Sequence, residues 1–229
     1  MLTPAEIDAL RLSVVVAAWS VCITLPVAVA LAWLLVRGRF IGRSIIDAAV
    51  HLPLVLPPVV VGYLLLLALG RHGVIGHWLD QVLHIRLAFT TAGAVAATAV
   101  MTLPLIVRSV RLVLEGVDTG LEQAARTLGA GGWDRFVTIT LPLMAPGILA
   151  GAITAFAAGL GEFGAVITFA SNIPGETRTL PLALYTALQS PEGDASAARL
   201  AVLSVLLGVG GLVAAEGLSR SLRRRLGRY

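Results

Sequence analysis

Residues 12–36 read LSVVVAAWSVCITLPVAVALAWLLV, a stretch without one charged side chain. An α-helix rises about 1.5 Å per residue, so a helix of this stretch exceeds the roughly 30 Å hydrocarbon core of a bilayer. Four more apolar segments, 45–69, 88–107, 143–165 and 199–218, have comparable reach. Backbone N–H and C=O groups left unpaired in lipid are costly, and these runs lack the alternation of barrel strands, so each is expected to be a helix. Composition agrees: 13% of residues are charged, against about 25% in soluble domains. The chain therefore reads as an all-α membrane protein with five transmembrane helices, residues 1–229 forming a single transmembrane domain. The start, Thr3 to Asp8, is acidic rather than basic, so the first run is expected to be a retained helix and not a cleavable signal peptide.

All 17 basic residues are arginine. Twelve of them fall in 37–43 (Arg37, Arg39, Arg43), in 108–142 (Arg108, Arg111, Arg126, Arg135) and in the tail (Arg220, Arg223, Arg224, Arg225, Arg228); the other five are Arg11, Arg71, Arg86, Arg178 and Arg199. The positive-inside rule then places the N-terminus outside, and the C-terminus and the 108–142 connection in the cytoplasm. Arginines clustered beside apolar runs are topology signals, so no nucleic-acid partner is expected despite the basic pI. Cys22 is the only cysteine, which excludes an intrachain disulfide and a two-cysteine metal site. His51, His72, His77 and His84 have no metal-binding spacing, and neither a nucleophile–base set nor paired carboxylates are present, so no metal, cofactor or catalytic residue is expected. A phosphate-binding loop of the Walker type needs a lysine, and the chain has none; it cannot hydrolyse ATP by that route.

One polar, glycine-punctuated segment interrupts the apolar runs: LEQAARTLGAGGWDRFVTITLPL, Leu121 to Leu143. Thr119 and Glu122 have the spacing of a capping box. Leu121, Ala124, Ala125 and Leu128 form a stripe at helical spacing, while Glu122, Gln123 and Arg126 take the other face, with Glu122 and Arg126 four apart. Gly129 sits where a helix ends in a left-handed residue. The stripe is too alanine-rich for a good lipid anchor, and small residues suit close docking against a protein. Upstream, Pro53, Pro57 and Pro58 should break or kink the second span, either beside a cavity or as a plain packing kink. Glu162 lies near the mouth of the fourth span, where a carboxylate is expensive, so a hydrogen-bonded structural role is expected. Arg178 has two open readings, contact with an anion or protein, or a loop salt bridge with Glu176.

The polar segment resembles the E-A-A-x3-G-x9-I-x-L-P motif of the permeases of binding-protein-dependent ABC importers. Ala124, Ala125, Gly129, Ile139, Leu141 and Pro142 fall in register; the family's glutamate position holds Gln123, with Glu122 displaced by one. LGEFGAVITFASNIPGETRTLPLALYTALQ, residues 160–189, resembles the molybdate permeases, with sulfate permeases next. The resemblance implies a type I importer permease of the bacterial inner membrane, working as a homodimer in the lipid bilayer. It also implies two ATP-binding subunits, a periplasmic or external molybdate-binding protein, and no cofactor. The ATPase would dock on Glu122, Gln123, Ala124, Ala125, Arg126, Leu128, Gly129, Ile139, Leu141 and Pro142. Gly161, Glu162, Phe163 and Gly164, with Pro57 and Pro58, would line or gate the pathway. The alternatives are a sulfate, thiosulfate or tungstate importer, and an autonomous secondary anion carrier. The carrier predicts inverted repeats and an internal ion site, which the sequence does not show.

Overall fold

The computed structural model describes residues 2–191 and 193–225, so Arg228 lies outside the described residues, which are helical and contain no strand. The first helix, α1 (Pro4–Arg37), starts on a complete capping box in which Thr3 and Glu6 satisfy each other's backbone N–H groups. It buries Ala9, Ser13, Ala17, Ser20, Thr24, Ala28 and Ala32, a face of small residues three or four apart. Lipid supplies no hydrophobic drive between helices, so close backbone approach is what such a face provides.

The partner of that face is α5 (Thr91–Glu115), which in turn receives α8 (Leu141–Leu160). Helix α8 buries Gly147, Gly151, Ala155 and Gly159 at intervals of four. A Cβ on Gly147 would stand 2.8 Å from the Ser109 carbonyl oxygen, and one on Gly151 would stand 3.0 Å from the Ile106 Cα. The two backbones are therefore nearly in contact. Ala28, Ala32, Leu35, Ile106, Val107, Val110, Leu114 and Met144 fill the core where the three helices meet. Trp19, Ile23 and Val27 of α1 face outward, as a lipid-bathed helix permits.

The apolar run 45–69 is two helices, α2 (Arg43–Val55) and α3 (Pro58–Leu69). Leu56 between them is extended, the conformation a following proline enforces, and Pro57 has no N–H to continue the ladder. The break expected at the proline pair is present. Residues 70–87, which separate the second and third apolar runs, contain another helix, α4 (Val74–Leu83). Gly73 and Gly76 let it fold tightly against the end of α3, where any side chain would meet backbone carbonyls. Helices α3 and α4 meet at 49° and together can make one broken span. Four other segments are long and apolar enough to cross a membrane: Pro4–Arg37, Thr91–Glu115, Gly132–Leu160 and Asp194–Gly211. Short helices α6 (Thr119–Thr127), α7 (Gly132–Arg135), α9 (Gly164–Phe169) and α10 (Leu180–Leu188), and the long α11 (Asp194–Arg225), are the remaining α-helices of the described residues.

Candidate coupling site

Helix α5 ends at Gly116, and the chain turns through Val117 into α6. The cap of α6 is Asp118, whose carboxylate accepts from the Gly120 N–H at 2.8 Å. The capping box expected from Thr119 and Glu122 does not form, because Asp118, one residue earlier and also a strong cap, takes the helix start. Glu122 is thereby free to point elsewhere. Its Oε1 accepts from Arg37 Nη2 of α1 at 3.2 Å and from the Thr140 hydroxyl at 3.1 Å. The pairing with Arg126 expected from their spacing gives way to this contact, which is partly buried and therefore less screened by solvent.

At its other end α6 closes as the sequence suggests. Gly129 is left-handed, with φ of 89°. The Ala130 N–H reaches the Ala125 carbonyl at 3.0 Å and the Gly129 N–H reaches that of Arg126 at 3.1 Å, the bond pair of a Schellman motif. No side chain of α6 is buried. Leu121, Gln123, Ala124 and Arg126 are exposed, and Leu128 is 88% exposed. This is a helix with an uncovered apolar stripe.

Downstream, α7 passes into a π turn, Phe136–Thr140, before α8. Pro142 explains it. Proline cannot donate to the carbonyl four residues back and its ring crowds that carbonyl, so the preceding turn widens, and the Leu141 N–H bonds Phe136 instead. The segment Ile139-x-Leu141-Pro142 is thus the joint between the surface element and α8. Ile139 and Leu141 are half-buried there and Pro142 is exposed. Phe136 stacks on Trp133 at 5.6 Å and meets Trp33 of α1 edge-on at 6.0 Å. Trp33 and Arg37 were not singled out for the site from sequence; no local pattern announces a contact between residues so far apart.

The second candidate group gathers elsewhere. Gly164 packs against Pro58, where an added Cβ would stand 2.7 Å from the proline Cβ, and Gly62 leaves room for the Ala165 carbonyl and Thr168. The broken span and α9 therefore share a close, glycine-dependent contact. Gly161 ends α8, Glu162 Oε1 accepts from the Ala165 N–H at 2.9 Å, and Phe163 packs on Tyr185 at 5.2 Å. Pro57 occupies the break itself. Arg178 donates from Nε to Asn172 Oδ1 at 2.8 Å, and Asn172 in turn donates to Thr186. The salt bridge with Glu176 left open by the sequence is not among the ion pairs of the described residues.

The family model for the binding-protein-dependent transport system inner membrane component matches residues 24–224. The chain belongs to that family. The permease is 56% identical over 228 residues to the molybdenum transport system permease protein ModB of Escherichia coli K12, covering 100% of both chains. It is 51% identical over 222 residues to ModB of Haemophilus influenzae, covering 97% of each. The sulfate transport system permease CysT of Escherichia coli K12 is 38% identical over 180 residues, covering 77% of this chain and 65% of that one. Among solved structures, a bacterial alginate ABC transporter bound to its periplasmic protein aligns with TM-score 0.77 at 18% identity, covering 96% of this chain and 80% of that one. The inward-facing MetNI methionine ABC transporter aligns with TM-score 0.68 at 19% identity, covering 95% and 94%. At such identities these structures speak for the fold alone, while the family match and the ModB relatives make this an importer-type permease of the inner membrane.

Proposed function

We propose that this permease is the membrane-spanning subunit of an ATP-driven, binding-protein-dependent importer of molybdate. The observation that carries the reading is the 56% identity extending over the whole of both chains to a molybdenum permease, where the sulfate permease reaches 38% over a smaller share. Two copies form one pathway, each receiving an ATPase subunit on α6 and the turn after it, and sharing an external molybdate-binding protein. The arginine asymmetry supports an outside N-terminus and a cytoplasmic C-terminus. The exposed stripe of Leu121, Ala124 and Leu128, ended by Gly129, supports α6 as the surface on which the motor acts. Closure of the ATPase pair draws the two α6 elements together and opens the pathway outward, so the substrate leaves its binding protein for the pore. The contact between α3 and α9, with Pro57, Pro58 and residues 161–164, forms the gate. Selectivity and affinity reside in the binding protein, because a carboxylate at Glu162 repels a dianion and tight binding in the pore would slow release.

The test is uptake of labelled molybdate by cells lacking their own molybdate permease, supplied with this chain, its ATPase and its binding protein. Uptake that is ATP-dependent and resists excess sulfate supports the reading. Uptake of sulfate in preference turns it to the sulfate branch, and uptake without the ATPase points to an autonomous carrier.

A further inference from the structure

The Arg37 guanidinium stands at the meeting of three elements. Its Nη2 donates to Glu122 Oε1 of α6 at 3.2 Å and to the Val117 carbonyl of the α5–α6 turn at 3.5 Å. The same Glu122 oxygen accepts from Thr140 in the π turn that leads into α8. One helical turn earlier on α1, Trp33 meets Phe136, one turn before Thr140. Two rungs therefore join α1 to the π turn, and the polar rung passes through α6. Among the described residues, the bonds of Glu122 are the only side-chain hydrogen bonds from α6 to another element. With no buried side chain of its own, α6 has little else to transmit a displacement.

We propose that Arg37, Glu122 and Thr140 form the link through which movement of α6 is delivered to α1 and α8. Arg37 and Glu122 are then positioning residues for coupling, and Glu122, unlike its exposed neighbours Gln123, Ala124 and Arg126, is not a contact for the ATPase. The link has the construction of a contact that changes length. One nitrogen serves two acceptors at long distances, and the buried Arg37 Nε has no partner, which leaves a donor in reserve for a rearranged geometry. This inference rests on the proposed importer function.

The experiment uses the whole complex of permease, ATPase and binding protein in liposomes. It compares Arg37→Ala, Glu122→Ala and the exchange Arg37→Glu/Glu122→Arg, reading ATPase co-purification and the stimulation of ATP hydrolysis by molybdate-loaded binding protein. The single variants should retain the ATPase subunit and lose about fivefold or more of the stimulation, the scale of ordinary coupling between sites. The exchange should recover part of it. A second variant guards against misfolding: Arg37→Cys/Glu122→Cys in a Cys22→Ser background, assayed in one preparation before and after a short thiol cross-linker. Cross-linking should restore stimulation lost in the unlinked form. Unchanged stimulation in the single variants, or loss of the ATPase from Glu122→Ala as from Ala124→Asp, overturns the proposal, as does equal stimulation with and without the cross-link. If the unaltered complex neither holds the ATPase nor imports molybdate, the functional reading fails instead.

Discussion

Helix α1 is fastened at both ends by a glutamate–arginine contact, and the two are built in opposite ways. Near its start Glu6, with only 4% of its side chain exposed, is saturated. Its Oε2 accepts from the Thr3 N–H at 2.8 Å, and its Oε1 accepts from the Ser196 hydroxyl at 2.8 Å and from Arg199 Nε and Nη2 at 3.1 and 2.9 Å. At its end, Arg37 holds Glu122 through one nitrogen and leaves Nε without a partner. A buried charge met on every side is expensive to disturb, while a thinly bonded one is cheap to shift. The first contact joins two long helices and has no reason to move. The second joins a long helix to a nine-residue surface element, the one on which the proposed motor would act. Permanence and compliance are both written in the number of donors.

The sharpest way to test the comparison is to ask whether the two fastenings lie in different compartments. In a Cys22→Ser background, an impermeant thiol reagent added to intact cells should label Thr3→Cys and leave Arg228→Cys untouched. Labelling in the reverse pattern inverts the assignment of ends. The next largest effect is on stability. Arg199→Ala strands a buried carboxylate and should cost about 3 kcal/mol, the low end for a broken buried pair because Arg199 itself is 39% exposed. Arg37→Ala should cost about 1 kcal/mol. Thermal unfolding in one detergent ranks them, and equal losses would erase the distinction between the two ends.

Gly129→Val acts on the compliant end alone. A side chain at φ of 89° strains the turn by about 1–2 kcal/mol. Open space surrounds the glycine Cα, so no clash adds to it. Membrane insertion should survive while ATP hydrolysis and transport come apart; normal uptake with normal ATPase stimulation would show that the shape of α6 is irrelevant to coupling. The smallest effect is that of Thr140→Val, which removes one hydrogen bond from Glu122 and should lower stability by about 0.5–1 kcal/mol. Its melting curve needs comparison with that of Thr127→Val, whose hydroxyl bonds only within α6.

The long helices were legible because lipid allows a spanning backbone few other forms, so apolar length alone marks α1, α5, α8 and α11. Pro57 and Gly129 were legible for a similar reason: each has one strong local consequence. The start of α6 was misplaced onto Thr119 because two good capping residues, Asp118 and Thr119, stand side by side and the spacing to Glu122 favoured the wrong one. Helix α4 was missed because its segment is only ten residues long, starts after Gly73 and carries Gly76 within it, too short and too glycine-punctuated to announce a helix. The small-residue faces of α1 and α8 were present as a four-residue period and went unread. Arg37 could not be placed by any periodic signal, since its partner lies 85 residues away and only the fold brings them together.

The bareness of α6 has a consequence for a copy of the permease that stands alone. Isolated helices shorter than about 12 residues are marginal in water. Helix α6 has 9 and buries none of its side chains. Its order is therefore conditional on whatever covers it. A copy without its motor leaves this short helix bare beside Leu128 and Trp133, the latter 77% exposed, with the exposed Arg126 offering trypsin a cleavage site. Limited proteolysis should cut there in the lone permease and spare it once the ATPase is bound. If α6 is where the motor docks, the residues that assembly would cover are the same ones a protease finds bare on an unpartnered copy.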